Sequence, residues 1–278
     1  MDFYENIVKG AVVVVHFGTT HNDTKEKTID IINEHLKNHF GKLDFYQVFT
    51  SRIINRILAG KGVVHLNTSQ MLEKLKEEGY KNIIIQPTYV INGIEMEALR
   101  REVEKYSSSF EDIRVGTPLL STYSNYVEII EILDQEVGIV LEPDMAVVLA
   151  GHGTDHSSLS AYPMLDYVAK DLNKPFYVGT VEGYPTIETV MKLLKKDNKK
   201  KIILRPLMFV TGEHAKNDIA IDWKNELEAN GFEVTLNLKG LGELAGIHRM
   251  FLNSAIKLEN HIPEDILKKK EAYAKGIL

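Results

Sequence analysis

Three side chains in this sequence combine a reactive type with a telling position: His152, Glu182 and His214. Each lies at or just beyond the end of a short β-branched run, within Gly151-His152-Gly153-Thr154, Thr180-Val181-Glu182-Gly183-Tyr184-Pro185 and Gly212-Glu213-His214-Ala215-Lys216-Asn217-Asp218. In open parallel sheets a ligand sits past the carboxyl ends of the strands, so three such residues can share one rim. Two imidazoles and a carboxylate suit a borderline divalent ion such as Co2+, Fe2+, Ni2+ or Zn2+ and leave positions open for a substrate. The 278-residue chain has no cysteine, so thiolate sites, disulfides and iron–sulfur clusters are excluded and any metal chemistry rests on imidazole and carboxylate. Taken singly, a loop histidine is more often structural or solvated. His156 is read in that way, as a solvated residue leading to a helix cap, and His21, His35, His39, His65 and His248 show no convergent spacing.

The elements that must position these residues follow from periodicity. Strands are expected at Ala11 to Val15, Phe45 to Val48, Asn82 to Gln86, Ala146 to Ala150, Pro175 to Gly179, Lys201 to Arg205 and Phe232 to Leu236. Helical spacing predicts helices over Thr24 to Asn38, Gln70 to Glu78, Glu95 to Lys105 and Tyr123 to Gln135. The chain also repeats itself. The run from Ala11, Ala-Val-Val-Val-Val-His-Phe-Gly-Thr, matches Ala-Val-Val-Leu-Ala-Gly-His-Gly-Thr from Ala146, which pairs Phe17 with His152. The run from Lys81 matches that from Lys200 and pairs Glu95 with His214. The first half holds roughly 16 extra residues between these anchors, placed around Thr50 to Val64, where Gly60 and Gly62 mark a loop. The expected fold class is α/β: two similar domains, each a parallel sheet flanked by helices, with the site in the cleft between them. The boundary is set at 1–122 and 123–278, with the C-terminal helix able to pack on the first domain.

Composition narrows the function classes. Hydrophobic residues are 44% and charged residues 26%, ordinary for a globular chain. A net charge of −6 without a basic patch argues against nucleic acid. The apolar run Ala11 to Val15 is too short to span a bilayer, and the acidic start Met-Asp-Phe-Tyr-Glu-Asn lacks the bases of a signal peptide, so no membrane partner and a cytoplasmic location are expected. His-Phe-Gly-Thr and Gly-His-Gly-Thr lack both the dinucleotide glycine spacing and the P-loop lysine, which sets nucleotide binding aside. Periodicity does not separate interface from core, so a homo-oligomer stays open.

An ordered set of motifs resembles the anaerobic sirohydrochlorin cobalt chelatases of the CbiK type, within the class II chelatases that include the ferrochelatases. The set is Val-Val-His-Phe-Gly-Thr-Thr at Val14 to Thr20, Phe-Thr-Ser-Arg at Phe49 to Arg52, Gln-Pro-Thr-Tyr-Val-Ile-Asn-Gly-Ile-Glu at Gln86 to Glu95, and the three segments around His152, Glu182 and His214. The resemblance spans nearly the whole chain. It implies a carboxylate-rich tetrapyrrole of the sirohydrochlorin type held between two domains, no cofactor beyond the divalent metal substrate, and a His, Glu, His metal set falling on His152, Glu182 and His214. A macrocycle that gains a metal loses two pyrrole N–H protons, so the site needs a metal donor and a proton acceptor, roles open to histidine near neutral pH. Arg52 is the first candidate for a substrate carboxylate, because its planar fork holds one bidentately. Backbone N–H groups around Phe17, Gly18 and Thr19, at a helix N-terminus, are candidates for another, with Phe17 lying on the ring. Glu95, opposite His214 in the repeat, is expected to face the cleft and help remove protons or guide the ion, or else simply to begin a helix. The same ligands accept Fe2+ or Ni2+, and a non-catalytic tetrapyrrole or metal carrier could use the same cleft.

Overall fold

A computed structural model describes residues 9–139, 141–212, 215–260 and 266–276. In the first half, strands β1 (Gly10–His16), β2 (Asp44–Phe49), β3 (Asn82–Pro87) and β4 (Asp112–Val115) form a parallel sheet in the order β2-β1-β3-β4. In the second half β5 (Met145–Gly153), β6 (Phe176–Glu182), β7 (Lys201–Pro206) and β8 (Glu233–Leu236) repeat that order as β6-β5-β7-β8. Four successive valines make β1: their branched Cβ atoms stiffen χ1 and fit an extended chain, and the strand is buried on both faces as a central parallel strand must be. The registers also repeat, with Val15 beside Val48 and Pro87 in one sheet and Ala150 beside Gly179 and Pro206 in the other.

Alternate residues of the central strands feed different cores. Ala11, Val13 and Val15 pack outward with Ile83 and Ile85 under helices α4 (Thr68–Glu77) and α5 (Ile94–Tyr106). Ala146, Val148 and Ala150 do the same under α8 (Ile187–Lys196), a π-helical segment Ala215–Trp223, and α9 (Lys224–Ala229). The inner residues, Val12 and Val14 with Val147 and Leu149, belong to one continuous core shared by both halves. Helices α2 (Ile29–His39), α6 (Tyr123–Val137), α7 (Ala161–Asp171) and α10 (Ala245–Asn260) supply much of the remainder, together with residues of the other strands and loops such as Ile84, Phe176 and Leu241. Each fully buried leucine or isoleucine there contributes roughly 1.5–3 kcal/mol.

The helix α10 comes late in the chain yet packs against α2 and β3 of the first half as well as α6. Arg114 of β4 donates through Nη1 to the carbonyls of Leu258 and Glu259 at its end, and Thr117 N donates to Ser254 Oγ at 3.2 Å.

The periodicity reading gives no span for β4 or for helices α7, α8, α9 and α10, and it differs from the structure at two places in the first half. The strand β4, Asp-Ile-Arg-Val, goes unseen in the sequence because it is short, is an edge strand and alternates charges with its apolar residues. The helix expected over Thr24 to Asn38 breaks at Thr28, leaving α1 (Asn22–Lys27) and α2, with the Thr28 hydroxyl donating to Thr24 O at 2.6 Å. The extra residues of the first half begin as a helix, α3 (Arg52–Gly60), whose N-cap Ser51 accepts from Ile54 N, and only 61–67 form the loop.

Candidate active site

The strands of the second half run further than expected, so that His152 lies inside the end of β5 and Glu182 is the last residue of β6. The ladder continues through Gly151 beside Thr180 and Gly153 beside Glu182. The reason is Gly153. Its φ is +89°, and a Cβ built there would stand 1.6 Å from the Glu182 carbonyl oxygen, so glycine alone lets the two strand ends close up. The ring of Tyr162 backs the same turn, its hydroxyl accepting from Gly153 N at 3.2 Å, and burial pushes the pKa of that phenol up. The result is an imidazole and a carboxylate on one rim, His152 Nδ1 to Glu182 Oε2 at 3.9 Å, with side chains 44% and 61% exposed. That spacing and exposure let both donors reach one incoming ion. His214, the third expected ligand, lies outside the described residues, and among those described no three His, Asp or Glu side chains gather around one point.

The first-half rim is built differently. Phe17 is 48% exposed, as a ring-stacking role needs, and Gly18 takes a φ of +105° against the Phe49 ring. Thr19 is buried, its Oγ1 accepting from His21 N at 3.2 Å. The helix α1 begins only at Asn22, so the N–H groups of Phe17, Gly18 and Thr19 do not form the expected helix N-terminus; the turn at Gly18 delays the helix. Arg52 is exposed at the start of α3 and lines a cavity of about 350 Å³ with Thr50, His65 and Glu102. Glu95 sits in the first turn of α5, where the helix dipole favours an acid, and Oε2 accepts from Thr50 Oγ1 at 2.9 Å.

Two histidines have roles that the spacing did not reveal. His16 is buried, with Nδ1 2.9 Å from Thr88 Oγ1 and Nε2 3.0 Å from Asn33 Oδ1, and burial lowers its pKa to about 4. It therefore stays neutral and braces the end of β1. His156 is not a solvated loop residue: Nε2 lies 3.2 Å from Glu97 Oε2 on the opposite half. A loop following the strand end is carried across to α5, an approach that residue spacing within one half does not encode.

Residues 10–259 match the model of one family, described as cobalt chelatase (CbiK). The chain belongs to the cobalt chelatase (CbiK) family. It is 36% identical over 250 residues to a sirohydrochlorin cobaltochelatase of Salmonella typhimurium strain LT2, covering 88% of this chain and 94% of that protein. It is 28% identical over 253 residues to sirohydrochlorin cobaltochelatase CbiKC of Nitratidesulfovibrio vulgaris Hildenborough, covering 89% of each. Among solved structures, SirB from Bacillus subtilis with Fe3+ superimposes with a TM-score of 0.64 at 16% identity, over 91% of this chain and 96% of that one. That likeness speaks to the fold. As a member of this family the chain is a metal chelatase, an enzyme with a divalent metal ion among its substrates. Among the described residues of the chelatase, no helix is long and apolar enough to cross a membrane.

Thr50 and Tyr162, which the motifs did not mark as site residues, support Glu95 and Gly153 respectively. Thr50 could have been found from the Phe-Thr-Ser-Arg motif, since it directly follows β2. Tyr162 gives no such signal, because it reaches Gly153 from a separate helix.

Proposed function

We propose that this chain inserts Co2+ into a sirohydrochlorin-type tetrapyrrole bound between its two halves, with His152, Glu182 and His214 handling the metal. The observation that carries the assignment is the meeting of His152 and Glu182 at adjacent strand ends, 3.9 Å apart and open to solvent. Family membership supports cobalt and the tetrapyrrole as the pair of substrates. The imidazoles present the ion to the ring nitrogens while the Glu182 carboxylate offsets its charge. As the metal enters, two pyrrole protons leave; a neutral imidazole takes one, and Glu95 on the facing rim, held by Thr50, is a second acceptor. Phe17 supports the ring face, Arg52 holds a substrate carboxylate, and Gly18 and Thr19 shape the turn that carries Phe17. The same reading divides the chain at 122 and 123, one sheet to each part, with α10 returning to the first.

Purified chain mixed anaerobically with sirohydrochlorin and Co2+, without any nucleotide, tests this by the absorption change of the macrocycle. Many turnovers per chain are expected. Stoichiometric binding without turnover would make the chain a carrier, and faster turnover with Fe2+ or Ni2+ would reassign the metal.

A further inference from the structure

The two halves touch beside the proposed site along a seam that none of the assigned roles uses. On one side is the loop leaving Gly151-His152-Gly153-Thr154. Thr154 Oγ1 accepts from His156 N at 3.1 Å, and His156 Nδ1 accepts from Ser158 N at 3.2 Å with Ser158 Oγ 3.0 Å away. A backbone N–H can only donate, so Nδ1 is the bare nitrogen and Nε2 carries the proton. That Nε2 points at Glu97 Oε2, 3.2 Å away on α5. The other carboxylate oxygen of Glu97, Oε1, takes Arg101 of the same helix, so the acid is held from both sides. A second contact lies one turn earlier: Gly93, the N-cap of α5, abuts Ser158 so closely that an added Cβ would stand 3.2 Å from Ser158 Oγ. Glu95 thus sits between two points, Gly93 and Glu97, at which α5 is pinned to the loop that follows His152.

We infer that His156 and Glu97 are positioning residues, a clasp across the cleft that sets the spacing between Glu95 on one rim and His152 with Glu182 on the other. The inference rests on the proposed site. The pair donates and accepts with a neutral imidazole, so the clasp needs no charge on His156. It joins partly exposed groups and is therefore weak. Its effect falls on the population of the closed cleft and not on the stability of either half, and apparent substrate affinity scales with the fraction of chains already competent to bind. Once bound, the tetrapyrrole bridges both rims itself, and the clasp matters less.

Glu97→Ala should raise KM for sirohydrochlorin by about 1.5- to 5-fold, the range that exposed pairs of this kind command, with kcat unchanged. His156→Ala should do the same, while Glu97→Gln, whose amide oxygen still accepts from Nε2, should keep KM near that of the unaltered chain. A second readout is independent of activity. Because the chain contains no cysteine, Lys105→Cys on α5 and Asp171→Cys on α7, both exposed, can be spin-labelled without background. In the substrate-free protein, Glu97→Ala should broaden the spin–spin distance distribution and Glu97→Gln should not. An unchanged distribution in Glu97→Ala, an unchanged KM, or a fall in kcat alone would each overturn the clasp. If the unaltered chain did not insert Co2+, the proposed reaction would fall, and the distance distributions by themselves would still decide whether the clasp exists.

Discussion

At the end of β1 the chain reads His16-Phe17-Gly18-Thr19, and at the equivalent end of β5 it reads Gly151-His152-Gly153-Thr154. The second residue of each turn projects from the rim, and Gly18 and Gly153 both take positive φ. What differs is where the imidazole stands. In the first half it comes one residue early, and one residue in a strand is one change of face. His16 is 1% exposed and engaged on both nitrogens, whereas His152 is 44% exposed beside a carboxylate. The duplicated fold thus uses the same side chain once as buried scaffold and once exposed on the rim beside a carboxylate, the place where the proposed reaction puts a metal donor, and a ring face, Phe17, fills the place that His152 occupies in the other half.

The most direct way to break this comparison is His152→Ala. It should lower Co2+ insertion by at least about a hundredfold, the scale of losing a working imidazole, while tetrapyrrole binding, measured by absorption or fluorescence titration, stays nearly intact. Phe17→Ala should invert that pattern, weakening binding more than turnover. Near-normal turnover in His152→Ala over a range of Co2+ concentrations would remove the assignment.

The two glycines should also part company. Gly153→Ala drives a Cβ into a backbone oxygen at a positive φ and should destabilise by about 3 kcal/mol or more, seen as a lowered Tm. Gly18→Ala, also at positive φ, meets side chains instead, the buried Phe49 ring at 2.8 Å and Ile54 Cγ2 at 3.3 Å. Its loss should be closer to about 1–2 kcal/mol. Equal losses would mean that the β5–β6 closure is no tighter than the Phe17 turn.

Acid should sharpen the contrast between the two histidines. An unfolded His16 titrates near 6.5, whereas burial holds it at about 4 in the folded chain. Between those values the unfolded state binds more protons. This residue's stabilising contribution is therefore complete above pH 6.5, is lost as pH falls through the interval, and levels off below 4. The loss attributable to His16 should total roughly 3 kcal/mol. His16→Gln should flatten that part of the dependence of urea midpoints on pH, and an unaltered slope would show that His16 is not the residue responsible.

A smaller effect is expected at Glu95. Glu95→Gln keeps the Thr50 hydrogen bond through its amide oxygen and removes only the charge, so turnover should fall about tenfold, below the usual range for a lone general base. The Tm should move little. Normal turnover with a slightly lower Tm would leave Glu95 as a helix-start residue.

Much of the architecture was legible in the residues. The valine run, the matched segments at Ala11 and Ala146 and at Lys81 and Lys200, and the placement of His152 and Glu182 near strand ends all survive as two sheets of identical strand order. The edge strand β4 was hidden because four residues carrying two charges do not register as a buried run. The helix break at Thr28 and the helical start of the first-half insertion were hidden because local periodicity does not report where a chain must turn to meet a neighbour. The role of His16 was hidden for a related reason, since burial of an imidazole depends on Thr88 and Asn33, distant in sequence, closing around it.

By itself the sequence determined the chemistry available, imidazole and carboxylate with no thiolate, and the parallel-sheet class, because residue types and short β-branched runs alternating with amphipathic stretches are local properties. Tertiary structure alone decided which histidines are scaffold and which face the rim, how near His152 comes to Glu182, and that His156 reaches Glu97. Those outcomes depend on backbone approach between separate segments: a missing Cβ at Gly153, a tyrosine ring from another helix, and the docking of one half on the other.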